Sequence, residues 1–183
     1  TDLGSGNALS PIPVITPRFV PSCTDETLRG LGQLAQKYDL PIQSHLSESV
    51  WEHHYAIERF GKHDAEVLDQ FGLLTDKSVM AHATQLTAAD RKLVKKRDTA
   101  LAHCPISNVY FGNGIMAVKE LLHDKIKVGM GTDISGGYSP SIYDNIRQAV
   151  MSSQIRQDGV APEDQGVASS RISMKNAFYL ATV

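Results

Sequence analysis

An arginine, three histidines and an aspartate occupy the same kind of position in this sequence, each closing a short apolar run. Arg18 with Phe19 follows Val14 to Pro17, His45 ends Pro41 to His45, and His82 ends Ser78 to His82. His103 ends Thr99 to His103, and Asp133 ends Lys127 to Asp133. If these runs are parallel strands, the closing residues meet at one mouth, because active sites of parallel α/β proteins lie at the carboxyl ends of their strands. A single histidine there is ordinarily a hydrogen-bonded structural residue. The recurrence of His45, His82 and Asp133 has a common explanation in a divalent metal, since neutral imidazole and carboxylate suit zinc or a similar ion. His103, followed by Cys104 and Pro105, fits a structural link between loops at least as well as catalysis.

Glu48 follows His45 by three residues, at the start of a helical stretch. An acid there can simply complement the helix dipole. It can also serve as the proton carrier that a metal site needs, because zinc lowers the pKa of its water from about 15.7 to about 7 and a neighbouring carboxylate can carry the released proton. Arg18 at a strand end can hold a polar heterocycle, with Phe19 offering a stacking face. His53, His54, His63 and His123 fall in charged helical or loop segments and read as solvated surface.

The elements that must position these residues alternate: short β-branched and apolar runs are separated by helix-period segments, the pattern of parallel strands joined by crossover helices. The five runs above are the expected strands. Thr24 caps a helix with Asp25 and Glu26 in its first turn and Leu28, Leu31, Leu34, Ala35 and Tyr38 on one face. Helices are expected over Glu48 to Phe60 and Asp64 to Phe71, and from a capping box at Thr87 and Asp90 to near Arg97. Three more are expected over Ile115 to His123, over Ser141 to about Gln157, and from Ser173 onward, with Asp158 to Gln165 as a polar loop.

At 183 residues the chain can bury a sizeable core but is shorter than the roughly 250 of a complete eight-stranded (β/α) barrel. A net charge of -2 gives no basic surface of the kind nucleic acid demands. No stretch has the length of a membrane span, and Thr1 to Ser10 carry no targeting pattern. The two cysteines, Cys23 and Cys104, make no disulfide framework, so a reducing, cytoplasmic compartment is expected. The start at Thr1 and the end at Val183 suggest an excised piece.

The order Pro17-Arg18-Phe19, Ser44-His45-Leu46-Ser47-Glu48, Met80-Ala81-His82, Ala102-His103-Cys104-Pro105 and Gly131-Thr132-Asp133 resembles the amidohydrolase superfamily. A His with a following Glu, a second His and an Asp are common to many deaminating and dechlorinating members. Narrower are Pro17-Arg18-Phe19 and the run Gly131 to Ser139, whose Gly136-Gly137-Tyr138-Ser139 resembles the guanine deaminase family. The resemblance implies an α/β fold, a TIM-like (β/α) barrel of the metal-dependent hydrolase type. It is present in part, as about five strands corresponding to the fourth through the eighth, with residues 1–183 a partial catalytic domain. It implies His45 and Asp133 as zinc ligands, and Glu48, His82 and Asp133 as catalytic residues. Glu48 would shuttle the proton, and His82 would orient water and substrate. Arg18, Phe19, the run His45, Leu46, Ser47 and Glu48, and Asp133 would bind a small purine, guanine, which zinc-activated water converts to xanthine and ammonia. It further implies a homodimer.

Two departures qualify this. Val109-Tyr110-Phe111 is bulkier and more aromatic than the family pattern, and no His-x-His pair, which supplies the family's other two zinc ligands, occurs between Thr1 and Val183. The family's β-sandwich domain is also missing. With two ligands assigned, these residues on their own are expected to hold zinc weakly and to be inactive. The alternatives are an amidohydrolase acting on another purine, a pterin or a triazine, and a catalytically silent fragment serving binding or assembly.

Overall fold

The computed structural model describes residues 11–182, so the stretch Thr1 to Ser10 and Val183 lie outside it. Its centre is one parallel sheet in sequence order: β1 (Ile42–Leu46), β2 (Ser78–His82), β3 (Ala100–His103) and β4 (Val128–Met130). The register pairs Leu46 with His82 and His103 with Met130, so the carboxyl ends of the strands align. Ile42, Leu46, Met80 and Leu101 face the helices and join the core.

The helices are α1 (Asp25–Tyr38), α2 (Val50–Phe60), α3 (Asp64–Gln70), α4 (Ala88–Lys96), α5 (Pro105–Tyr110), α6 (Val118–His123), α7 (Ile142–Asp158) and α8 (Met174–Thr182). The starts of α1 and α4 follow the caps expected at Thr24 and Thr87. The Thr24, Ser49, Thr87 and Ser141 hydroxyls accept backbone N–H groups of the first turns, and Thr87 and Asp90 form the reciprocal box. None of the helices among the described residues is long and apolar enough to cross a membrane.

Several expectations need correction. Val14 to Pro17 makes only one parallel bridge, Ile15 to Ile42. Pro13 and Pro17 flank it without N–H groups, so the ladder cannot extend. The last strand is confined to Val128–Met130: the Gly131 N–H makes the final bond across to the His103 carbonyl, and Asp133, at φ 50°, lies beyond the ladder. On α1 the buried stripe is Leu28, Gly32 and Ala35, leaving Leu34 and Tyr38 43% and 46% exposed. Gly32 sets that rotation: the Phe71 carbonyl packs where a Cβ would sit. Helix α2 starts two residues later than expected, so Glu48 precedes it and Glu52 is its first-turn acid. Helix α5 was not anticipated; Pro105, with φ fixed and no N–H to satisfy, opens it.

Candidate metal and substrate site

The bend after β1 and the ends of β1 and β2 bring His45, Glu48 and His82 together, each offering one ligand atom, with these atoms within 4.8 Å of one another. The two imidazole rings stack, centroids 5.1 Å apart. His45 Nδ1–H donates to the Arg18 carbonyl at 2.6 Å, which leaves the Nε2 lone pair free. His82 is 1% exposed, and its Nδ1–H donates to Asn108 Oδ1 at 2.9 Å. Its Nε2 lies 3.7 Å from Glu48 Oε1 and 3.9 Å from Asp133 Oδ2. Asp133 therefore joins the group through His82. Two imidazoles, each with one nitrogen anchored by an oxygen acceptor and the other free, beside two carboxylates, fit a divalent ion that takes nitrogen and oxygen ligands.

Glu48 is fixed on every side. Its N–H donates to Glu52 Oε2 at 2.7 Å, its carbonyl accepts from Thr84 Oγ1 at 2.7 Å, and its Oε1 accepts from Asn113 Nδ2 at 2.9 Å. Ser47, in the left-handed region at φ 46°, donates its N–H and hydroxyl to Asp64 at 2.5 and 2.6 Å. Burial pushes the Glu52 carboxyl up to about 8, and the nearby Asp64 charge adds to this. Burial likewise raises Asp64, against the lowering effect of its bonds from Ser47.

Arg18 is exposed, its guanidinium 5.3 Å from the Phe19 ring centroid, and Phe19 lies 6.3 Å from His45. Trp51 continues this line of rings, 6.2 Å from Phe19 and 5.7 Å from Tyr55. Of the run expected to bind substrate, Leu46 is buried in the core and the Ser47 hydroxyl is taken by Asp64, so these two side chains turn inward. His103 is buried with Nδ1 unpartnered. Burial, reinforced by His82, pushes it down to about 3 and keeps it neutral.

Two of the four histidines read as solvated are not. His63 Nδ1 lies 3.0 Å from the buried Asp90, and His53 Nδ1 lies 3.9 Å from Asp64, with the two rings 4.3 Å apart. The turn at Gly61 folds α3 back against α2 and encloses them. His54 and His123 are exposed as expected. Glu52, Asp64, Asn108 and Asn113 are partners of the site that the sequence pattern does not single out. Only Asn108 carried a signal, as part of the motif after His103. A cavity of about 620 Å³, lined by Arg29, Gln36, Asp39, Phe71 and Lys77, lies at the amino end of β1, remote from this cluster.

Imidazoles and carboxylates at the carboxyl ends of a parallel sheet are the layout of a metal-dependent hydrolase built on a (β/α) barrel. Residues 7–182 match the Amidohydrolase family, and the chain belongs to it. It is 46% identical over 144 residues to a probable guanine deaminase of Schizosaccharomyces pombe, covering 78% of this chain and 27% of that protein. It is 39% identical over 173 residues to guanine deaminase of Mus musculus, covering 93% of this chain and 37% of that protein. The crystal structure of guanine deaminase from C. acetobutylicum with bound guanine in the active site superposes with a TM-score of 0.84 at 38% identity. That match covers 93% of this chain and 40% of the other. The chain thus spans well under half the length of these relatives.

Proposed function

We propose that the protein hydrolyses guanine to xanthine and ammonia, with zinc as its metal, in the cytosol. The observation that carries the reading is the placement of His82 Nε2 near both the Glu48 and Asp133 carboxylates, with His45 stacked on His82 and Phe19, under Arg18, next to His45. Similarity to guanine deaminases, one with guanine in its active site, supports the choice of substrate. The free cysteines Cys23 and Cys104 fit a reducing compartment.

His45 and Asp133 would hold the ion, with His82 and Glu48 beside it. When bound, the metal supplies the Lewis acidity that makes water a nucleophile at neutral pH. Arg18 grips the carbonyl edge of the purine and Phe19 covers its face. Glu48 takes a proton from the attacking water and delivers it to the ring nitrogen beside C2, while oxygen adds to C2. His82 orients the water and the developing oxygen charge. The C2 hydroxyl proton then moves to the amino group, the C–N bond breaks, and ammonia leaves as the C2 carbonyl forms.

The test is ammonia release from guanine, 8-oxoguanine and adenosine derivatives, with metal quantified in the same dialysed samples. Guanine should be the preferred substrate of the protein that carries this chain, with zinc retained. Turnover confined to an adenosine derivative, a pterin or a triazine would replace the substrate assignment. Absence of both metal and turnover would favour a binding or assembly role.

A further inference from the structure

Behind Glu48 lie two acids that the proposed chemistry does not use. Glu52 is 1% exposed and Asp64 is 0% exposed. Burying a carboxyl is costly, and buried carboxyls are weak evidence of a contribution to stability. Their bonds go to consecutive backbone amides: Ser47 N–H to Asp64 Oδ2 and Glu48 N–H to Glu52 Oε2. The Glu52 bond is unusual for its position. In a capping box, an acid at the third helical residue accepts from the cap residue's own N–H, here that of Ser49. Glu52 also reaches one residue further, its short bond coming from the Glu48 N–H, and its Oε1 has no partner.

The opposite side of the same two residues is held as well. Thr84 N–H and Gln85 N–H each donate to the Ser47 carbonyl at 3.0 Å, and Thr84 Oγ1 donates to the Glu48 carbonyl. Ser47 is a non-glycine residue at φ 46°, a conformation that persists where surrounding bonds over-determine it. The helix does not need this arrangement, because Ser49 already caps it by accepting from Glu52 N–H.

We infer that Glu52 and Asp64 are positioning residues, a buried clamp on the amides of Ser47 and Glu48 that fixes where the Glu48 carboxylate stands beside His82. The inference rests on Glu48 being the proton carrier proposed above. Glu52 sets the height of the Glu48 amide, Asp64 sets the bend before it, and Asn113 then orients the carboxylate within that frame.

The informative variant is Glu52→Leu, which removes the acceptor and fills the space with apolar volume but leaves the Glu48 N–H unpaired, so a modest loss of stability is expected and the melting temperature is read alongside turnover. In the metal-loaded protein, kcat for guanine should fall roughly tenfold or more with KM within about twofold, the scale for removing a supporting residue. Glu52→Gln, whose amide oxygen can still accept, should restore most of kcat. Hydrogen exchange at the Glu48 amide gives a readout independent of turnover: fast in Glu52→Leu, protected in wild type and in Glu52→Gln. Asp64→Asn is the second probe, and it should speed exchange at Ser47. Wild-type kcat and undiminished Glu48 protection in Glu52→Leu would overturn the clamp. A wild-type protein that leaves guanine untouched, while the amide behaves as stated, would remove the guanine reading and leave the clamp standing.

Discussion

The two sides of the site are held in different ways. On the β1–β2 side, His45, Glu48 and His82 each have a partner behind the face they present: the Arg18 carbonyl, Glu52 with Asn113, and Asn108. On the β4 side, Asp133 lies beyond a three-residue strand, at φ 50° and 32% exposed. Among the described residues no hydrogen bond reaches its carboxylate; its carbonyl accepts from Gly137 N–H. The first side stands preorganised, so little ordering remains when a ligand arrives. The second side is a glycine-bearing loop whose acid no hydrogen bond holds.

The largest expected effect breaks the preorganised side at its chemical group. Glu48→Gln keeps the shape and the Asn113 contact and loses the base, so kcat should fall by about 10² or more, on the scale of general acid–base catalysis. Metal content and melting temperature should stay near wild type, because Glu48 lies before α2 and does not cap it. A fall in stability without a fall in kcat would return Glu48 to a structural role.

A pH series separates the clamp on the preorganised side from His103, buried at the end of β3, by stability. Glu52 in the fold titrates near 8 against an ordinary 4.5, so its contribution is complete below about 4.5 and is lost as pH rises toward 8. His103 in the fold titrates near 3 against 6.5, so its contribution is complete above about 6.5 and is lost as pH falls toward 3. Stability should therefore peak at about pH 5–6 and fall by on the order of a few kcal/mol toward either side. Chemical denaturation at several pH values measures this. Glu52→Gln should flatten the alkaline limb and leave the acid limb in place.

The β4 side can be probed by adjacent glycines. A Cβ on Gly136 would sit 2.7 Å from Asp133 Oδ2, a side-chain atom that can swing away. Gly136→Ala should weaken metal binding by roughly tenfold with little change in melting temperature. A Cβ on Gly137 would collide with the Thr132 carbonyl, which is backbone. Gly137→Ala should therefore destabilise the fold by about 1–3 kcal/mol. Equal metal affinity in wild type and Gly136→Ala would mean that Asp133 is not oriented by this loop.

The same division decided what could be read from sequence. The strand ends at His45, His82 and His103 were legible because a polar residue closing an apolar run leaves a local signal, and the hydroxyl caps at Thr24 and Thr87 were legible for the same reason. The strand at Val14 to Pro17 was over-read, since apolar content suggested pairing that the flanking prolines prevent. Glu52 drew no reading, Asp64 looked like an ordinary helix start, and His53 and His63 looked like surface, because their burial depends on α3 folding back at Gly61. Asn113 meets Glu48 across 65 positions of sequence, a pairing that no local pattern encodes.

The smallest expected effect tests Arg18, where the two sides of the comparison meet in one residue. Its carbonyl belongs to the preorganised side, accepting from His45 Nδ1, while its side chain is exposed and lies over Phe19. Arg18→Lys leaves the carbonyl untouched, so metal content and the His45 tautomer should not change. The planar fork is lost, and a point charge cannot grip a heterocycle edge through two donors. Because the side chain is solvated before substrate binds, the loss should sit at or below the low end for charge-assisted hydrogen bonds, about 1 kcal/mol or roughly fivefold in kcat/KM for guanine. It should appear mainly in KM. A loss of bound metal in Arg18→Lys would mean that the side chain, and not only the carbonyl, supports His45. Unchanged kinetics would remove the guanidinium from the site.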